Sequence, residues 1–473
     1  MKKITVLFAA ILAIALVACT SKPATTSKAS PAPTNVKHPE WSRNAVIYEV
    51  NLRQYTKEGT IKAFETHLPR LKELGVDVLW FMPVHPISKL NRKGTLGSYY
   101  AVQNYKEINP EFGTLNDFKE LVQKAHDMGF KVLLDWVANH TGCDNVWVAE
   151  HPDWYVKDSL GNFVGPYDWT DTYKLDYSNQ EMRAAMTDAL KFWIQEYNID
   201  GYRCDVAFEV PTDFWDNARK ELDAIKPVFM LAEAEHPELL VNAFDMCYNW
   251  PLKDVMNEIA MGKDAKKPEY VHEPPVGKVI AENALDLDKL FNHQDSIFPA
   301  DSYLMNQITN HDLNSWEGTE FDRLGPGVKT FAVLTYTIPG MPLIYTGQET
   351  GMDRAFEFFE KDTPPDWTMN EWFTFYQTLN ELKHKEEALA AGTQGGEMVR
   401  YFTQSPDAYV FSRSKNHSSI LVYLNLSNTK VDLNFKDQQP AGNYTELFTG
   451  EKQLPVSLEP WEYKVYREIP TLN

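Results

Sequence analysis

From position 41 onward, short apolar runs alternate with stretches in which apolar residues recur every three or four positions. The runs cover 45–50, 76–84, 131–137, 201–207, 228–232, 244–249, 303–309 and 341–345. Near-continuous apolar character, without polar alternation, predicts strands covered on both faces, and the helical stretches between them supply that cover. Eight such units in series predict a (β/α)8 TIM-type barrel of α/β class.

Several helices carry their own punctuation. Ser178 and Glu181 have the spacing of a capping box, and Met182, Met186, Ala189 and Trp193 follow on one face. Phe118, Leu121, Val122 and Ala125 make a similar stripe ending at Gly129, and 68–74 ends at Gly75. Such stripes are core and are given no other role. The interval 141–177 after the third strand is long and aromatic, with Trp147, Trp154, Tyr155, Trp169 and Tyr173, and predicts a loop domain at the barrel rim. Around position 387 the period changes to two, predicting a C-terminal antiparallel β domain, a sandwich, over 388–473 and leaving 41–387 to the barrel.

Composition narrows the partners. The 473 residues include 46 Lys and Arg against 66 Asp and Glu, a formal net charge of −20 with no basic block, which excludes nucleic acid as a ligand. At the start, Lys2 and Lys3 precede an apolar stretch to Ala18 and then Cys19, the pattern of a secretory signal over 1–18. Leu16-Val17-Ala18-Cys19 resembles a bacterial lipobox. The resemblance implies a lipid on Cys19, an exported lipoprotein held at a membrane on the periplasmic side or the cell surface, and a flexible linker over 19–40. The other three cysteines fit neither a disulfide framework nor a metal spacing.

Barrel enzymes carry their reactive groups at the C-terminal strand ends. Here those ends read DWVANH (135–140), GYRCDVA (201–207), LAEAE (231–235) and TNHD (309–312), and each offers a carboxylate that is costly to bury unless paired or functional. Arg203 and Asp205, two apart on one strand, face the same way, so the guanidinium should hold Asp205 ionised. Glu233, between Ala232 and Ala234, sits in the drier surroundings that suit an acid, with Glu235 as its competitor. A carboxylate pair of this kind suits glycoside hydrolysis.

These four segments, in order and with GSYYAVQNYKEINPEFGT (97–114) and IPGMPLIYTGQE (338–349), resemble the signature regions of the α-amylase family of retaining glycosidases, glycoside hydrolase family thirteen. Carried over, the resemblance implies Asp205 as nucleophile, Glu233 as general acid/base and Asp312 as the third catalytic carboxylate. Arg203, His140 and His311 would line the subsite of the cleaved sugar, and Tyr100, unless Tyr99 takes its place, would stack on the ring. The implied reaction is retaining hydrolysis of α-1,4-glucans such as starch, maltodextrins and maltooligosaccharides. Its rivals are transglycosylation and an inactive glucan-binding surface lipoprotein.

Two departures bear on cofactors. The family's usual calcium site joins the residue at Asn139 to a loop Asp, but YKLDYS (173–178) places Lys174 there, and an ammonium repels a cation. No cofactor is expected, and Asn139 should act as a hydrogen-bonding strut. Phe208-Glu209 also stands where many endo-amylases have Lys-His.

Overall fold

The computed structural model describes residues 33–262 and 281–469. The expected signal segment and Cys19 lie outside the described residues. Eight parallel strands close into a barrel: β1 (Ile47–Val50), β2 (Val78–Phe81), β3 (Lys131–Val137), β4 (Gly201–Asp205), β5 (Phe229–Ala232), β6 (Met246–Tyr248), β7 (Tyr303–Asn306) and β8 (Met341–Tyr345). Each strand pairs with its neighbour in sequence, and β1 closes the ring against β8. Each expected run therefore holds one strand, several trimmed where the chain leaves the barrel mouth.

The strands are buried on both faces, which explains their unbroken apolar character. Tyr202 and Cys204 point outward into the layer shared with the helices. Ile47, Val78, Leu133, Phe229, Leu231, Met246, Tyr303, Met305, Met341 and Leu343 point inward and fill the floor. One step further along the same inward register stand Glu49, Asp135 and Arg203, all buried. The period of two thus builds an apolar plug and sets polar groups on top of it. Gly201 opens β4 at φ +151°, where an added Cβ would lie 1.8 Å from the Phe229 carbonyl oxygen, so β4 and β5 meet there only through glycine.

The helix Gln180–Tyr197 buries Met182, Met186, Ala189 and Trp193 as expected, but its cap is Asn179, not Ser178: the Asn179 side chain accepts from Glu181 N and Met182 N. Asparagine one position later reaches two free donors at once. The helix Leu115–Asp127 carries a capping box of Thr114 and Asp117, and Leu68–Leu74 ends at left-handed Gly75. The loop region after β3 is organised by the antiparallel pair His140–Gly142 and Thr172–Lys174.

The C-terminal region forms an antiparallel sheet of β9 (Glu397–Tyr401), β10 (Ala408–Lys415), β11 (Ser418–Asn425), β12 (Tyr444–Glu446) and β13 (Tyr463–Glu468), in the order 9-10-11-13-12. The short pair Val431–Asp432 and Ser457–Leu458 covers one face around Val410, Leu421, Tyr423 and Leu458. The stretch 34–40 corrects the expectation of a flexible linker reaching to 40. Thr34 Oγ1 donates to Leu240 O at 2.8 Å, and buried His38 lies 2.8 Å from Asp245 Oδ1. These partners tie it to the barrel.

Candidate active site

At the mouth of the barrel, β4 ends with Arg203 and Asp205 facing inward. Arg203 is fully buried, and its guanidinium gathers the surrounding acids. Nη1 donates to Asp135 Oδ1 at 2.8 Å and to Asp205 Oδ1 at 3.0 Å, Nη2 pairs with Glu233 Oε1 at 2.9 Å, and Nε donates to Tyr248 Oη at 3.1 Å. One cation therefore holds three carboxylates from three adjacent strands. The planar fork of arginine permits this, where a lysine point charge would not.

Val206, directly after Asp205, has φ +36°, a conformation rare for a β-branched residue and strained here. It turns the Val206 N–H onto Glu233 Oε2 at 2.7 Å. Glu233 was expected in drier surroundings from its alanine neighbours, yet both its oxygens have polar partners: one meets a guanidinium and the other a backbone donor.

The second half of the mouth centres on His311. Its Nδ1 lies 2.5 Å from Glu49 Oε1, and its Nε2 lies 2.6 Å from the Tyr100 hydroxyl and 3.3 Å from Asp312 Oδ2. Tyr100 donates to Asp135 Oδ2 at 3.1 Å, where Trp80 Nε1 also donates at 3.2 Å. Asp135 therefore couples the Arg203 and His311 halves. Tyr99 turns away and donates to Asn51 Oδ1 at 2.9 Å, so Tyr100 is the tyrosine in the mouth.

Burial and charge set the titration of this cluster. Asp205 is pushed well above the usual carboxylate range by burial and then by the charge of Glu233, with Arg203 opposing. This corrects the expectation that Arg203 alone keeps Asp205 ionised, because that guanidinium is shared three ways. Burial raises Asp135 to about 6 against the pull of Arg203, and it raises Asp312 against His311. At His311, burial opposes charge, but Asp312 and Glu49 outweigh it and push the ring up to about 9.

His140 is buried, and among the described residues no hydrogen-bond partner is found for its Nε2. Burial, reinforced by the Lys174 charge, lowers it to about 3, leaving a neutral ring at neutral pH. Glu235 does not join Glu233. Its carboxyl is pushed up to about 8 by burial and by Asp254. Cys204 is a buried free thiol on the outward face of β4.

Lys174 settles the fit of a calcium ion. Its Nζ pairs with Glu209 Oε2 at 2.8 Å, and its backbone pairs with His140 across the small sheet. Among the described residues no group of three or more His, Cys, Asp or Glu side chains could hold a metal. An ammonium already neutralises the carboxylate at this position, so the residues present do not fit the ion. The Asn139 backbone carbonyl accepts from Leu175 N at 3.1 Å, and its side-chain Nδ2 lies 3.5 Å from His140 Nδ1.

The structure brings together Tyr100, Arg203, Asp205, Glu233, His311 and Asp312 through shared contacts. Sequence reasoning missed Glu49, Trp80 and Tyr248 and gave Asp135, the carboxylate of DWVANH, no role of its own; these four complete the network. Their signal was a charged or hydrogen-bonding residue on the inward register of an otherwise apolar strand.

A ring of acids over a closed β/α barrel, organised by one buried arginine, is a glycosidase type of site. The family description Alpha amylase, catalytic domain, matches residues 42–174 and 150–374. The chain belongs to the α-amylase family and is a glycosidase. It is 25% identical to Alpha-amylase 3 of Dictyoglomus thermophilum over 84% of this chain and 88% of that protein. The crystal structure of a noncanonic maltogenic alpha-amylase AmyB from Thermotoga neapolitana superposes with TM-score 0.79 at 28% identity, covering 90% of this chain and 99% of that one. An alpha-amylase from Lactobacillus plantarum gives 0.78 at 29% identity, again over 90% and 99%.

Proposed function

We propose that the protein hydrolyses α-1,4-glucans, such as starch, maltodextrins and maltooligosaccharides, with retention of anomeric configuration. The observation that carries this reading is the single guanidinium of Arg203 bearing both Asp205 and Glu233. Two carboxyls held on one guanidinium are the kind of pair that double displacement uses, one as nucleophile and one as acid. Asp205 attacks the anomeric carbon while Glu233 protonates the departing glycosidic oxygen. The bond between sugar and leaving group breaks, and a glucosyl ester forms on Asp205. Glu233, now ionised, takes a proton from water, which attacks the anomeric carbon and frees Asp205.

Asp312 grips the hydroxyls of the sugar being cleaved. The imidazolium of His311 offers a donor beside it, and neutral His140 presents its open Nε2 as a further partner. Tyr100 forms the platform on which the ring lies. The names of its relatives support a glucan substrate. Hydrolysis and transglycosylation share this first half and differ only in the acceptor. The lipobox-like segment supports an exported lipoprotein, attached to the membrane through Cys19.

Asp205→Asn tests the assignment. Turnover of maltooligosaccharides should fall by at least about a thousandfold while binding persists, because only the covalent step is lost. Undiminished turnover would refute the role of Asp205. A product time course on starch, maltotriose, cyclodextrin and pullulan tests the substrate class.

A further inference from the structure

Glu49 stands on the inward register of β1, beside Trp80 of β2 and Tyr345 of β8, and is fully buried. Its backbone is pinned, because Thr346 N and Thr346 Oγ1 both donate to Glu49 O, at 3.1 and 2.7 Å. Its side chain meets His311, whose Nδ1 lies 2.5 Å from Oε1. Among the described residues no hydrogen-bond partner is found for Oε2. A carboxylate is costly to bury without a counter-charge, and the group this one touches is an imidazole. Double displacement uses His311 and gives Glu49 no task.

The hydrogen bonds around His311 have one self-consistent order of protons. Tyr100 Oη lies 2.6 Å from His311 Nε2 and 3.1 Å from Asp135 Oδ2, and its single proton serves one of them. Asp135 accepts from Arg203 Nη1 and Trp80 Nε1 as well, so the tyrosine proton goes there. Nε2 then donates to Tyr100 Oη, while Nδ1 donates to Glu49. With a proton on each nitrogen the ring is an imidazolium. Nε2 also lies 3.3 Å from Asp312 Oδ2, facing the place where sugar hydroxyls are held. Tyr100 stacks on the imidazole at 5.4 Å and 23°, and Trp80 meets it edge-on at 6.0 Å and 86°. Those rings fix its orientation.

The charges around His311 agree with this order. Burial works against its charge, Asp312 and Glu49 outweigh burial, and Arg203 of β4 opposes them. Asp135 of β3 and Tyr100 complete the groups facing it, while Tyr248 of β6 and Tyr345 of β8 stand within range of Glu49. We propose that Glu49 is a positioning residue for hydrolysis: it holds Nδ1–H, fixes His311 as an imidazolium and aims Nε2–H at the sugar being cleaved. Glu49 acts through His311 and does not itself meet the substrate. This rests on the reading of the site given under Proposed function.

The test follows kcat/KM for maltoheptaose from pH 5.5 to pH 8.5 in the wild type, Glu49→Gln, His311→Gln and the double variant. The proton of the general acid is common to wild type and Glu49→Gln and cancels in their ratio. At pH 5.5 the imidazole is charged in both, and the ratio should stay within about threefold. At pH 8.5 only the wild-type ring stays charged, and the ratio should reach about tenfold, the difference between a charged and a neutral donor. Adding Glu49→Gln to His311→Gln should cost less than about twofold at either pH. A ratio that is flat or falls with pH, or a full further loss in the double variant, would overturn the proposal. If Glu49→Gln does not fold, the wild type decides by proton NMR. Its spectrum should hold a far-downfield Nδ1–H resonance that His311→Gln lacks, and a wild type without it would overturn the proposal. A wild type that leaves maltoheptaose uncleaved would instead overturn the functional reading beneath it.

Discussion

Replacing Arg203 by glutamine removes a buried guanidinium that touches three acids at once. The side chain is fully buried and contacts Asp135, Asp205 and Glu233 at 2.8, 3.0 and 2.9 Å. Breaking a buried pair by deleting one partner costs about 3–5 kcal/mol, because the orphaned charge stays in the interior. Glutamine restores a donor but no charge. The loss should depend on pH. Arg203 lowers Asp135 and Asp205, so without it both rise further above their unfolded values near 3.9. The folded variant then holds protons that the unfolded chain has already released, and its stability falls as pH increases through that window. Urea unfolding at pH 5 and pH 8 reads this directly. The deficit against wild type should be about 3–5 kcal/mol at pH 8 and clearly smaller at pH 5. A deficit that is constant, that grows toward acid, or that stays below about 1 kcal/mol would refute the view of Arg203 as the shared counter-charge.

Two further outcomes follow from the same geometry. Chelation should leave activity and unfolding midpoint essentially unchanged, since Lys174 and Glu209 already neutralise each other at 2.8 Å; a collapse with EDTA that calcium restores would contradict this. Buried His85 is lowered to about 4 by desolvation. Its contribution is complete above the unfolded value near 6.5 and is lost as pH falls toward 4. At pH 5 the loss is roughly 2 kcal/mol, so His85→Gln should remove about that much of the wild-type change between pH 7.5 and pH 5 in urea unfolding. An unchanged pH dependence would refute it.

The barrel was legible because parallel strands covered on both faces leave unbroken apolar runs, and all eight runs hold a strand. Residues at the strand ends, Asp205, Glu233 and Asp312, were legible for the opposite reason, as charges that a buried end would not otherwise carry. Glu49 escaped notice because its partner His311 follows β7, and only closure of the ring brings the two together; Asp135 was given no role because its partner Arg203, opposite it on the neighbouring strand, lies 68 positions further along the chain. The setting of Glu233 was misread from its alanine neighbours, because the decisive contact is the Val206 N–H, aimed by a strained backbone that no local pattern announces. The docking of 34–40 depends on His38 meeting Asp245, a pairing across 207 positions.

The central claim is that Asp205 and Glu233, on one guanidinium, act by double displacement. Proton NMR of the first sugar released from maltoheptaose tests it most directly. The α-anomer should appear first and then mutarotate; initial release of the β-anomer would contradict the mechanism.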